Sequence, residues 1–118
     1  MSQPDALTDL RDRLRLFAAD RDWDQFHTPK NLAAAMTVEA AELLEHFQWL
    51  TAEESASLDE SVRADVAEEM ADVLLYLVRL ADKLNVNLHD AALGKLAQNA
   101  AKYPVDKARG HARKYDQL

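Results

Sequence analysis

The chain of 118 residues has 48% hydrophobic content and a formal net charge of -7. That is enough apolar material for one small core, and the wrong sign for broad contact with a nucleic-acid backbone, which demands a basic face. The absence of cysteine excludes disulfide scaffolds and thiolate metal sites. The longest apolar run, Val73 to Val78, is far too short to cross a bilayer, so no membrane association is expected.

The opening MSQPDALTDLRDRL carries no apolar stretch of the secretory kind, and a cytoplasmic location is the expectation. Two glycines and three prolines leave little material for hairpins, and alternating strand patterns are absent, so the chain reads as all-α. A first helix is predicted from Pro4 or Asp5 to Asp20, with Leu7, Leu10, Leu14 and Phe17 spaced three or four apart. After RDWDQFHTPKN, Thr28 and Pro29 mark the entry to a second helix running to Leu50. TAEESASLDES is polar and acidic and reads as a loop or frayed turn. A third helix spans Asp59 to Leu84, and a fourth runs from Leu88 to Lys102 and stops at Pro104. The domain is therefore expected over residues 1–104, with a basic tail over 105–118. Four main helices make a bundle, and so small a core calls for a partner subunit.

Helical geometry raises a question within VEAAELLEHFQWL. At about 100° per residue, Met36, Ala40, Leu43, Phe47 and Leu50 form one stripe, while Glu39, Glu42, His46 and Trp49 form the stripe beside it. Glu45 falls well round the helix and reads as a solvated charge. The third helix repeats the arrangement, with Glu69, Asp72, Tyr76 and Arg79 next to Met70, Val73 and Leu77. Four carboxylates facing one another across a helix pair repel unless something positive sits among them. A hard divalent cation resolves the conflict, and an all-oxygen set without cysteine favours Mg²⁺ over zinc. Acidic pairs at this spacing are also common on solvated faces, and periodicity alone does not separate Glu68 from Glu69 as the partner of Asp72.

More specific are the blocks themselves. EAAE at Glu39–Glu42, followed after 26 intervening residues by EMAD at Glu69–Asp72, resembles the ExxE…ExxD signature of the MazG-like all-α nucleotide pyrophosphohydrolases. RDWDQFHTPKNLA, VEAAELLEHFQW, EEMADVLLYLVRLAD and KLAQNAAKYP are similar to consecutive blocks of that family's dCTP pyrophosphatase branch. The resemblance implies Mg²⁺-dependent conversion of a nucleoside triphosphate, dCTP or a related deoxynucleotide, to the monophosphate and pyrophosphate. It implies that Glu39, Glu42, Glu69 and Asp72 hold metal; a carboxylate not fully committed to metal is then expected to accept the proton of the attacking water, and Glu39 or Glu42 is the candidate. It further implies that Trp23, His27, Trp49, Tyr76, Lys95, Asn99, Lys102 and Tyr103 contact the nucleotide, and that the chain forms a homotetramer or homodimer. One departure concerns specificity: animal members of the branch carry a histidine where ungapped matching places Leu14, which donates no hydrogen bond. Two rivals stand beside this reading: a pyrophosphatase preferring dUTP or noncanonical purine nucleotides, and an idle helical interaction protein whose acids only solubilise an oligomer.

Overall fold

The computed structural model describes residues 5–118, and the described residues form α-helices and short 3-10 turns with no strand. Helix α1 spans Ala6–Asp20, α2 Pro29–Glu45, α3 Ala52–Ser55, α4 Glu60–Lys83, α5 Leu88–Lys102 and α6 Val105–Ala108. Pro4, the earlier of the two expected starts of the first helix, lies outside the described residues. The long helices begin at side-chain caps readable in the sequence. Asp5, Thr28, Asp59 and Asn87 each accept a backbone N–H from the first turn of α1, α2, α4 and α5, satisfying donors that a helix start leaves unpaired.

Two expected boundaries shift. The second helix stops at Glu45 instead of Leu50, and residues 46–50 continue as turns bonded back to Leu43, Leu44 and Phe47. The acidic segment expected as a loop or frayed turn contains the single-turn helix α3, started by a capping box. The Thr51 hydroxyl accepts from the Glu54 N–H while the Glu54 carboxylate accepts from the Thr51 N–H.

The chain divides into two compact units at Val86/Asn87. In the first, α4 is the central element, packing mainly against α2 and also against α1. Its buried apolar residues are Ala18, Leu32, Val66, Val78 and Ala81. Arg15 clasps both oxygens of Asp82 through Nε and Nη2, tying α1 to α4. In the second unit, Tyr115 from a 3-10 turn packs edge-on against Tyr103 with ring centroids 6.2 Å apart, and the Lys102 ammonium sits over the Tyr115 ring. The basic tail is thus folded locally around an aromatic pair. Among the described residues no helix is long and apolar enough to cross a membrane.

Leu32, 1% exposed, is the largest fully buried side chain. Truncation to alanine leaves a cavity in a core this small, so Leu32→Ala is expected to lower the unfolding free energy by about 3 kcal/mol in urea titrations, with little change in slope.

Candidate active site

The site begins with the way α1 ends. Asp22 adopts φ 54°, and the chain closes a Schellman motif: the Trp23 N–H reaches the Ala18 carbonyl and the Asp22 N–H reaches that of Ala19. This turn folds Trp23 back over the last turn of α1, where its ring meets Phe17 edge-on, centroids 5.6 Å apart. A 3-10 turn over Asp24–Phe26 follows, and the Asn31 amide donates to the Phe26 carbonyl. The loop is also pinned to α4, because Asp24 accepts from both Arg79 and Lys83. These bonds hold the Asp24 carboxyl below its usual range, Lys83 contributing most.

Between this loop, α1, α2 and α4 lies a cavity of about 220 Å³ whose lining includes Leu14, Phe17, Trp23, His27, Tyr76 and Arg79, with Glu39 and Asp72 also on its wall. Trp23 and His27 meet edge-on at 6.3 Å. Arg79 is 5% exposed, rare for a guanidinium unless paired. It donates through Nε to His27 Nδ1 at 3.1 Å and through Nη2 to Asp24, and Nη1 lies 3.5 Å from Asp82. Burial, then the positive charges of Arg79 and Lys83, push the His27 pKa below the usual histidine range.

Beside the cavity the acids converge. Glu39 on α2 and Glu69 and Asp72 on α4 each bring a carboxylate oxygen within 4.8 Å of the others. Glu69 Oε2 is buried with no hydrogen-bond partner among the described residues, and Glu69 Oε1 stands 4.0 Å from His46 Nε2. Desolvation, then interaction with Glu42, then the charge of Asp72, push the Glu39 carboxyl up to about 7. Glu69 is raised by desolvation and next by the charge of Glu42. An orphaned buried carboxylate oxygen among three crowded carboxylates is a poor arrangement for bare protein. It fits a hard divalent cation, which supplies the missing partner and offsets the repulsion.

The structure therefore brings together Glu39, Glu69 and Asp72, with Trp23, His27 and Tyr76 on the adjoining wall. On α4 it is Glu69, half-buried, that converges with Asp72, while the exposed Glu68 is not among the converging acids. Glu42 is half-buried and bears electrostatically on Glu39 and Glu69, although its oxygens are outside the converging trio. Trp49 stands in the turn after α2, 86% exposed and outside the cavity lining. Lys95, Asn99, Lys102 and Tyr103 belong to the second unit, the lysines exposed and the other two half-buried. Phe17 and Arg79 line the cavity although the sequence marked the first as core and the second only as a member of the acidic stripe. The signal for Phe17 was available in the helix-end contact that a Schellman turn brings with it.

The MazG-like family model matches residues 34–118, which contain all four acids. The chain belongs to the MazG-like family. Among curated relatives, dCTP pyrophosphatase 1 of Bos taurus is 44% identical over 99% of this chain and 70% of its own length. The Homo sapiens protein of the same name is 46% identical over 95% of this chain and 67% of its own length. A crystal structure of a pyrophosphatase from Archaeoglobus fulgidus superposes with a TM-score of 0.81 at 41% identity, covering 88% of this chain and 97% of that one. The Archaeoglobus fulgidus pyrophosphatase thus shares the helical fold that brings Glu39, Glu69 and Asp72 together here.

The raised carboxyls of this MazG-like site have a consequence for stability. Between the unfolded glutamate value of about 4.3 and the folded value of Glu39 near 7, the native state holds more protons than the unfolded one. Stability contributed by these groups therefore falls as pH rises through that window. Metal-free protein is expected to melt at a lower temperature at about pH 8 than at about pH 5.5, with Glu39→Gln flattening the difference. Divalent cation should restore the loss at the higher pH, and calorimetry in buffers of different ionisation enthalpy should show protons released on metal binding near pH 6.5.

Proposed function

We propose that this chain hydrolyses the α–β phosphoanhydride bond of a deoxynucleoside triphosphate, dCTP or a relative with a modified base, giving the monophosphate and pyrophosphate and clearing the nucleotide pool of such molecules. The observation that carries the reading is the carboxylate cradle of Glu39, Glu69 and Asp72 against an aromatic-walled cavity. Its support from relatives is the pair of dCTP pyrophosphatases, each over 40% identical across nearly the whole chain.

In this reading Glu39, Glu69 and Asp72, with Glu42 beside them, hold Mg²⁺. When bound, the ion neutralises charge on the triphosphate oxygens and makes the α-phosphorus more electrophilic. The chain's own residues do the rest. Trp23, His27 and Tyr76 seat the base and sugar in the cavity and exclude water from one face of the nucleotide. The oxygen of a water attacks the α-phosphorus in line, the bond from that phosphorus to the bridging oxygen breaks, and pyrophosphate departs. Glu42, half-buried next to the trio but not part of it, is the better placed of the two glutamates to take the water's proton, with Glu39 committed to the cradle. Trp49, Lys95, Asn99, Lys102 and Tyr103 are assigned to the nucleotide on the family's motif alone. The apolar surface left open, where Val38, Leu44 and Met70 are each more than half exposed, supports a homotetramer or homodimer.

Incubation with Mg²⁺ and a panel of triphosphates, with products identified by ³¹P NMR, tests the assignment. Pyrophosphate plus monophosphate is expected. Glu39→Gln and Asp72→Asn should each reduce the rate at least a hundredfold while retaining the helical circular dichroism of the parent. Release of orthophosphate and diphosphate, or full activity in both variants, contradicts it.

A further inference from the structure

The cavity beside the carboxylates has few groups able to read a base. Leu14 and Phe17 offer no polar side-chain atom, Trp23 and Tyr76 each carry a single polar group at the ring edge, Glu39 and Asp72 belong to the carboxylate group, Arg79 is engaged by Asp24 and Asp82, and the remaining polar ring on that wall is His27. A neutral imidazole presents one donor and one acceptor, and which edge carries the proton decides what it recognises. Here the choice is made by a neighbour. Arg79 Nε donates to His27 Nδ1 at 3.1 Å, and a guanidinium has no acceptor at all, so Nδ1 is obliged to carry the lone pair and the ring proton resides on Nε2. No protein group among the described residues is bonded to Nε2. Arg79 has no freedom to turn away: its side chain is 6% exposed, Asp24 takes Nη2, and Asp82 faces Nη1. Those two carboxylates are anchored in turn, Asp24 by Lys83 and Asp82 by the two-bond clasp of Arg15.

We infer that Arg79 is a positioning residue that locks His27 in the Nε2–H tautomer, so that this wall of the cavity offers a nucleobase a hydrogen-bond donor and selects bases with an acceptor there. This rests on the nucleotide reading above. The matching group is a carbonyl oxygen or an unprotonated ring nitrogen, such as the O2 and N3 edge of cytosine. The specificity of the pocket is thereby set by a buried arginine on its own wall, held between two ion-paired aspartates. An exchange of Arg79 for a residue with an acceptor would invert the tautomer and present a lone pair to the base.

Two measurements test this. Long-range ¹H–¹⁵N NMR of the ¹⁵N-labelled full chain at about pH 7.5 should show His27 neutral, with Nε2 protonated and Nδ1 bare; a protonated Nδ1 in the parent overturns the proposal. Arg79→Met should yield a mixture of tautomers. Because that variant removes a buried charge, His27→Phe carries the binding arm, keeping a ring against Trp23 without the donor. The probes are the α,β-imido triphosphate of deoxycytidine and that of a pyrimidine isostere without hydrogen-bonding groups, both with Mg²⁺. The parent should prefer the cytosine analogue by roughly tenfold or more, and His27→Phe should lose most of that preference while still binding the isostere. Equal preference in parent and His27→Phe overturns the proposal. Since binding is read without turnover, a chain that hydrolyses no triphosphate refutes the enzymatic reading separately, and hydrolysis accompanied by a protonated Nδ1 refutes only the tautomer lock.

Discussion

Like-charge crowding across the seam between α2 and α4 is the constraint on which the rest of the structure depends. Three carboxylates share a space in which any two would already repel, and one buried oxygen of Glu69 has no protein partner. A fold selected for stability alone would place small apolar side chains there, as it does at Ala81 and Val78 further along α4. The rise of Glu39 to about 7 measures how unwelcome its charge is without a counterion. The same crowding is what a site for a multiply charged cation requires, because ligands that repel one another gain most from the ion that separates them. The crowding that raises the Glu39 carboxyl is the same feature that would favour a bound cation.

Around that seam the remaining polar machinery is neutralised. Arg15, Asp82, Arg79, Asp24 and Lys83 form a chain of ion pairs running from α1 through α4 to the loop before α2. It lets a guanidinium reach the interior next to the cavity without leaving an unpaired charge. It also fixes the loop that carries Trp23 and His27, which the Schellman turn at Asp22 has already folded back onto α1. The aromatic wall is thus held from both sides, by backbone geometry on α1 and by ion pairs on α4. A pocket whose wall is preset in this way spends little ligand binding energy on ordering it.

Much of this was legible in the sequence because it follows from short-range rules. The 3.6-residue period and the polar residues before it placed the starts of the long helices to within a residue or so, and the same period set Glu39 and Glu42 beside the core face. Where the pattern continued without a breaker it misled: Phe47 and Leu50 keep helical spacing, yet the helix ends at Glu45 because the turns that follow satisfy the backbone equally well. The capping box at Thr51 and Glu54 was written in the sequence but sat in an acidic stretch that lacks an apolar face. Glu68 and Glu69 are equivalent on a helical wheel, and only the packing of α4 against α2 separates them. Arg79 was least legible of all, since its partners Asp24 and His27 lie 55 and 52 residues away and nothing local distinguishes it from a solvated cation.

The most direct test of the carboxylate cradle is anomalous diffraction from crystals grown with Mn²⁺, a scattering substitute for Mg²⁺, and an α,β-imido deoxycytidine triphosphate. If the crowded acids are a metal centre, a peak will lie among the oxygens of Glu39, Glu69 and Asp72, with triphosphate oxygens completing its coordination. Carboxylates splayed toward solvent, with no anomalous density between α2 and α4, would contradict it.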